Sequence, residues 1–482
     1  MREKTFKDPV HGYISVPADW CDDFLDTPVF QRLRFIEQTS MRVLYPAAHH
    51  DRFIHSLGTY HLGRRLFECL KKNSAKATQA LLENYRNTFL LACLLHDCGH
   101  APFSHTCEHF YNYNRGPVPD EEKPVYQKLK AAYSGSNDFE VGGSWMPKAH
   151  EAFSAIIMKQ CFSAALEKYS CDVELAARMI TGCTYPNVTD SDTSVKNCLI
   201  GLLNGAAIDV DKLDYIVRDT WASGVQNTMI DVDRLLAAAR FHDDASGKQT
   251  LCYAKSALSV LQTVLNARNY LYEWIYGHHT VLYYSNLLNR AVCALAKKVS
   301  PPENPELFWK TIFSEKPFIV PQQIEIGSLK ISIYLPNDGD LLCLLKQFRN
   351  EIGEVREYLD RKSTRFALWK THAEFRTIFK AHPMLRDPLV VKSISDWLPG
   401  FLAEKYNVSR EDIVLTDGTF NPSSFEKSEV LILINDTVTT LTDVLDAPSG
   451  GVSKKDSFYV FVPMRLFDKK NEMIQSIHTR KR

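Results

Sequence analysis

An apolar stretch that ends in a burst of ionisable side chains has few places to go in a folded protein. Residues 89–105, FLLACLLHDCGHAPFSH, are such a stretch, and they limit what this chain can become more than any other part of it. The apolar half reads as a buried helix that delivers His96, Asp97, His100 and His105 to one place. Adjacent residues lie about 100° apart around a helix of about 3.6 residues per turn, so His96 and Asp97 can take neighbouring positions on one cation. His100 returns to the face of His96. Gly99 and Pro102 are expected to stop the helix, because glycine is costly inside one and proline cannot donate to the preceding turn. The polar cluster is therefore expected at a helix end, open to solvent. A lone His-Asp dipeptide is more often a satisfied core pair than a metal site, so the weight falls on the rest of the chain.

With 482 residues, 45% hydrophobic and 24% charged, the chain is ordinary for a globular protein of two or three domains. Lys+Arg 57 balance Asp+Glu 57, so a protein that coats nucleic acid or an anionic membrane is not indicated. The 12 cysteines form no CxxC pair and MREKTFKDP has no apolar signal core, which predicts reduced thiols in a cytoplasmic compartment. No apolar run approaches the length that spans a bilayer.

KTFKDPVHGYISV reads as short extended pieces around the turn signals Asp8-Pro9 and His11-Gly12. DTPVFQRLRFIEQ predicts a helix with Asp26 as N-cap, Pro28 in the first turn and Phe30, Leu33 and Ile36 at helical spacing. Residues 52–70 predict the next helix, with Arg52 and His55 three apart. Residues 112–147 read as a loop holding a short helix at about 125–133, and KAHEAFSAIIMKQCF then resumes the helical pattern with His150-Glu151 at its start. In IDVDKLDYIVRD, residues 208–219, Asp209 is a candidate N-cap. Asp211, Tyr215 and Asp219 fall at i, i+4 and i+8 with Lys212 beside them, apart from the apolar side of Val210, Leu213, Ile216 and Val217. Residues 253–298 read as helical, with Arg268, Tyr272 and Tyr276 four apart in a stripe of the kind usually found in cores. VPQQIEIGSLKISIYLP is strand-like, LLCLLKQFRNEIGEVREYL is helical, and a helix at LPGFLAEKYNVS precedes the β-type runs SEVLILIND and FYVFVP. The expected fold class is mainly α, with a helical catalytic core at 1–300, a helical extension at 301–380 and a smaller C-terminal α+β lobe at 381–482.

Together His55, His96-Asp97 and Asp211 spell H…HD…D across helical sequence, a stronger signal than the dipeptide. Imidazole nitrogens and carboxylate oxygens suit a borderline-hard divalent cation, and three or four protein ligands leave positions for water and a phosphate oxygen. Such a metal acidifies water and polarises a phosphoryl group, which is hydrolytic chemistry. The donor set suits Fe, Mn, Zn, Ni or Mg, with a second Mg on substrate phosphates as a further option.

In this respect the chain resembles the HD-domain deoxynucleoside triphosphate triphosphohydrolases, a family with SAM- and HD-domain members and bacterial dGTPase-like members. KDPVHGYI, DTPVFQRLRFIEQ, RFIHSLG, LLHDCGHAPFSH, KAHE, IDVDKLDYIVRD and RNYLYEWIYGHH carry the likeness in the family's order, over most of residues 4–280. It thins thereafter to scattered positions such as RTIFK, and no SAM domain is expected ahead of the catalytic part. The resemblance implies an HD-domain fold in which His55, His96, Asp97 and Asp211 bind the metal. It implies that His100 is the catalytic histidine, oriented by Glu108 where the family has the shorter Asp, with His150 a further active-site histidine. Arg52, His105, Lys212 and Arg268 match phosphate contacts, and Gln38, Tyr215, Asp219 and Tyr276 match residues around the sugar. The implied reaction is attack of water on the α-phosphorus of a dNTP, releasing a deoxynucleoside and inorganic triphosphate. Lys4, Asp26, Gln31 and Arg34 match a guanine-nucleotide activator pocket. Of a second, deoxynucleotide pocket, Arg234 and His278 fit while Val260, Trp274 and His279 do not. A nucleotide-responsive homo-oligomer, a dimer or tetramer, is implied. Thr39 stands where a family member has Leu under the sugar, and Gly277 where it has Gln beside the base. The metal set alone leaves open another phosphohydrolase substrate, such as an NTP, an NMP or a cyclic nucleotide. A nucleotide-sensing or nucleic-acid-binding protein with a vestigial site is the alternative of a different class.

Overall fold

Asp51 starts the helix on which the rest is hung. Its carboxylate accepts from the Ile54 amide at 3.0 Å and caps Arg52–Lys72, satisfying a donor that the helix cannot satisfy itself. The next helix, Lys76–Leu95, packs antiparallel-fashion close along it, so close that a Cβ added at Gly63 would lie 2.8 Å from Cys93 Sγ. Ala149–Lys168, Val173–Thr181, Ser191–Leu203 and Val210–Ser223 complete the helical core. The computed structural model describes residues 2–113, 119, 122–136, 139, 146–205, 208–225, 230–243, 248–380, 387–419, 430–435, 437–444 and 455–479. Over these residues the protein is mainly α, with small sheets and a C-terminal α+β region. No helix among them is long and apolar enough to cross a membrane.

Several local expectations need correction. The Lys76–Leu95 helix stops before the metal-type residues, with His96 as its C-cap. Cys98 N bonds to Leu95 O at 3.0 Å and His100 N to Asp97 O at 2.9 Å, so tight i→i−3 turns replace the helix before Gly99 or Pro102 is reached. The cap at DTPVF is Thr27, not Asp26, because the Asp26 carboxylate is bonded to Lys4 Nζ at 2.8 Å. Helix Pro28–Gln31 then tightens into the 3₁₀ turn Arg32–Phe35, and Glu37 pairs with Asp51 as an antiparallel bridge, so the helix does not run on to residue 38. Tyr253 is not helical: it lies in strand Gln249–Ala254, paired with Ala239–Asp243. Helix Leu258–Tyr270 widens into π-type turns at Leu271–Tyr276, and a fresh helix, His279–Val299, begins after His278, whose side chain caps it.

The opening piece is a hairpin, Glu3–Asp8 against Gly12–Pro17, closed by Gly12 at φ +79°. Gln322–Ile326 and Leu329–Ile333 form a second hairpin. Phe458–Pro463 pairs antiparallel with both Val414–Asp417 and Arg365–Ala367, so this sheet reaches back across residue 380. Leu431–Ile434 pairs in parallel with Gln249–Ala254, at Tyr253↔Ile432 and Ala254↔Leu433. Ser428, Glu429 and Asp436 of SEVLILIND, and much of 112–147 beyond helix Pro124–Ala132, lie outside the described residues.

Candidate metal and phosphate site

Four donor atoms from three parts of the chain converge. His55 Nε2 lies 3.0 Å from Asp211 Oδ1, 3.3 Å from His96 Nε2 and 3.7 Å from Asp97 Oδ2. His96 Nε2 is 3.6 Å from Asp97 Oδ2 and 3.7 Å from Asp211 Oδ1. Ligands at about 2.1 Å from one ion sit at such separations. The other nitrogen of each ring is occupied. His55 Nδ1 is 2.7 Å from Asp214 Oδ2, and His96 Nδ1 is 2.9 Å from the Cys93 carbonyl, partners that place the ring proton on Nδ1. Two imidazole lone pairs and two carboxylates then face one another, an arrangement that fits a divalent cation held by His55, His96, Asp97 and Asp211. Burial opposes a charged His55, yet Asp211 and Asp214 outweigh it and lift its pKa to about 10, a measure of how strongly this hole favours positive charge.

Behind the donors is a buried support that sequence reasoning did not single out. Asp214 also accepts from Arg218 Nε at 2.8 Å and Nη2 at 2.9 Å, and its Oδ1 lies 2.6 Å from His11 Nε2. Arg218 Nη1 donates to Asp8 Oδ2 at 2.8 Å, and Asp8 Oδ1 takes the amides of Val10 and His11. KDPVHG is thus the far end of a chain of ion pairs that reaches His55, one of the four converging donors. Gly58 makes room for it, since a Cβ there would lie 1.8 Å from Asp214 Oδ1. The available signal was the charged pair Asp214 and Arg218 on the inward side of an otherwise apolar helix face.

A second group, His100, His105, Glu108 and His150, brings its ligand-type atoms within 4.8 Å of one another. The pairing differs from expectation. Glu108 Oε2 bonds His150 Nδ1 and lies 3.4 Å from His105 Nδ1, whereas neither ring nitrogen of His100 has a hydrogen-bond partner among the described residues. Glu108 therefore bonds His150, not His100. His100 instead stacks on His150, centroids 4.5 Å apart at 22°. Burial, with Arg52, His150 and His105 nearby, holds His100 well below the usual histidine pKa. Burial works against ionised Glu108, but His150 and His105 keep it a carboxylate. The exposed His105 stands at the rim.

Of the expected phosphate contacts, Arg52 is buried and donates to Asp97 Oδ2 at 2.8 Å, Ser104 Oγ at 3.0 Å and the Gln38 carbonyl at 2.8 Å. Lys212 folds onto Asp209 and the Gly205 carbonyl, and Asp209 caps its helix as expected. Arg268 lies over the Tyr272 ring at 4.4 Å. Lys148, not singled out from sequence, joins the cations: its side chain is largely exposed and its Nζ lies 3.5 Å from Glu151 Oε1. Around the expected sugar position, Asp219 receives the Tyr276 hydroxyl and sits 2.6 Å from His50 Nε2, a partner that sequence reasoning missed. Gln38 is buried with an Oε1 unpaired among the described residues, and Tyr215, beside Tyr272 and Arg268, has its hydroxyl pKa pushed far up by burial. Tyr272 is 38% exposed while Tyr276 is half-buried against the main apolar cluster, so the stripe is core only in part. Gly277 N donates to the Tyr272 carbonyl at 3.0 Å, and a Cβ there would sit 2.8 Å from that oxygen, which accounts for Gly at this position.

At the expected activator positions, Lys4 joins Asp26 and also Asp22 at 3.0 Å, Gln31 donates to the Leu25 carbonyl, and Arg34 donates to Gln31 while lying over Phe53 at 3.6 Å. Arg234 Nε donates to the Ser256 carbonyl and His278 caps the next helix.

Residues 52–176 match the HD domain family. An uncharacterized protein of Mycoplasma genitalium is 25% identical over 282 residues, 58% of this chain and 57% of the relative. The deoxynucleoside triphosphate triphosphohydrolase SAMHD1 of Danio rerio is 29% identical over 280 residues, 57% of this chain and 42% of the relative. The chain thus spans about half the length of the curated relatives it matches. A solved phosphohydrolase from Bacteroides thetaiotaomicron shares the fold with TM-score 0.61 at 20% identity, over 95% of this chain and 99% of that one.

Proposed function

We propose, from the premise that residues 52–176 are an HD domain, that this protein is a divalent-metal-dependent phosphohydrolase acting on deoxynucleoside triphosphates. Water attacks the α-phosphorus, the bond to the 5′ oxygen breaks, and deoxynucleoside and inorganic triphosphate leave. The observation that carries this is the convergence of four acceptor atoms beside three histidines and several fixed cations. His55, His96, Asp97 and Asp211 would hold a divalent cation, which when bound would supply Lewis-acid polarisation of a phosphoryl oxygen. The side chains do the rest. His150, fixed by Glu108, and His100, with both ring nitrogens unpartnered, are the groups that exchange a proton with the 5′ oxygen. Burial, and then the charges of Arg52, His150 and His105, hold the His100 pKa down; a bound triphosphate would offset the charge part of that effect. Arg52, Lys148, Lys212, His105 and Arg268 suit a long phosphate chain, which needs several fixed donors. Asp219, steadied by His50 and Tyr276, accepts from a sugar hydroxyl.

Incubation with each dNTP and NTP plus Mg, Mn or Fe, followed by product separation, should reveal tripolyphosphate. Inorganic phosphate or pyrophosphate as the only product would sink the reaction. The same proposal includes a homo-oligomer, tested by light scattering, and a guanine-nucleotide activator at Lys4, Asp26, Gln31 and Arg34. Asp26→Ala should abolish activation and spare basal turnover; equal activation in the variant would discard that pocket.

A further inference from the structure

Just beyond the metal-ligand pair, three consecutive backbone carbonyls are each held by a side chain. Arg32 Nη1 donates to the Cys98 carbonyl at 3.4 Å, Arg32 Nη2 donates to the His100 carbonyl, and the Tyr111 hydroxyl donates to the Gly99 carbonyl between them. Arg32 is 3% exposed and has no ion pair within 4.0 Å among the described residues, although Asp338 and Asp340 are near enough to favour its charge. Its Nε donates to the Pro336 carbonyl at 2.7 Å and its guanidinium lies over the Phe318 ring at 4.7 Å. Burying a guanidinium with no carboxylate in direct contact is costly, and its planar fork of fixed donors serves both carbonyls at once. Tyr111 is locked in turn by stacking on Phe153 at 4.0 Å.

The other side of the turn is equally fixed. Gly99 N donates to Ser154 Oγ at 3.1 Å, and a Cβ on Gly99 would lie 2.7 Å from Ser154 N. His100, by contrast, has no hydrogen bond to either ring nitrogen among the described residues, so the direction of its ring is set by its backbone and by its stacking on His150. We propose, resting on the phosphohydrolase reading above, that Arg32 and Tyr111 are positioning residues that aim His100 by holding the carbonyls of Cys98, Gly99 and His100.

Arg32→Lys keeps the charge and Tyr111→Phe keeps the ring, while each removes carbonyl contacts. The second serves where the first fails to fold. In each, kcat for tripolyphosphate release should fall roughly tenfold or more, with KM and bound metal within about twofold of wild type. The His100 ring resonance of histidine-labelled protein, identified by its absence in His100→Gln, should shift. An unchanged kcat with an unmoved resonance would overturn the proposal. So would a loss of bound metal that accounts for the whole fall in kcat. Should wild-type protein release no tripolyphosphate from any nucleotide, the hydrolase reading fails on its own, and the resonance then decides the positioning role.

Discussion

Two imidazole nitrogens 3.3 Å apart, each with its ring partner already bonded, repel one another unless something positive lies between them. Asp214 creates that demand by fixing the Nδ1 proton of His55. Asp214→Asn should therefore weaken Mn or Fe binding by about 10–100-fold in titration calorimetry; wild-type affinity would show that the carboxylate does not support the ligand. The four converging donors were legible in sequence as the dispersed pattern H…HD…D, and the family resemblance carried their expected role. Asp214 was not, because a carboxylate four residues before an arginine reads as an ordinary helix charge pair. His61 belongs to the same layer, 8% exposed and 5.4 Å from the His11 ring. Burial, then His11 and the neighbouring arginines, depress its pKa to about 4. Below about pH 6.5 the unfolded chain takes up this proton first, so stability falls as pH drops from 6.5 toward 4, by at most about 3 kcal/mol. His61→Asn should lose less stability than wild type between pH 7 and pH 5 in urea denaturation. Equal losses would remove His61 from the account.

At the level of elements, the site depends on how closely helices Arg52–Lys72 and Val210–Ser223 approach. Gly58 is the point of contact, where a Cβ would overlap Asp214 Oδ1 at 1.8 Å. Gly58→Ala removes a helix-disfavouring glycine, a gain of roughly 1 kcal/mol in an open helix, but here it must push a buried ion pair aside at a cost of about 1–3 kcal/mol or more. Net destabilisation with weaker metal binding is expected; a higher denaturation midpoint would mean that the helices part without loss. Helices with a clear apolar period were legible from sequence. Residues 253–298 were not read correctly, because a short strand, a π-type widening and a new helix share one apolar pattern. That widening, capped by Gly277, brings Tyr276 to Asp219 and leaves Tyr272 near Arg268, and wide turns of this kind recur at functional sites.

Across the whole molecule, two apolar clusters meet at helix His279–Val299. Leu288, Ala291, Val292 and Leu295 join the cluster around the metal donors, while Tyr283, Tyr284 and Leu287 join the one built on strand Phe458–Pro463. Leu431–Ile434 is a second tie, since it pairs with Gln249–Ala254 and its Ile432 belongs to the first cluster. Sequence placed that strand with its neighbours because a short apolar run does not name its partner, and parallel pairing over such a distance leaves no local signature. Trp369 centres the second cluster: it is 0% exposed, donates to the Phe458 carbonyl at 2.6 Å, and packs on Phe375, Phe379 and Phe458. Trp369→Ala should cost the second cluster about 3–5 kcal/mol. With one shared helix and one short strand pair as the ties named above, that loss should fall mainly on the C-terminal region. Calorimetry of the variant should then show an early transition insensitive to added Mn, followed by a Mn-stabilised one near the wild-type temperature. A single transition, lowered as a whole and still shifted by Mn, would mean that the two clusters fold as one unit and that the metal site feels damage anywhere in the chain.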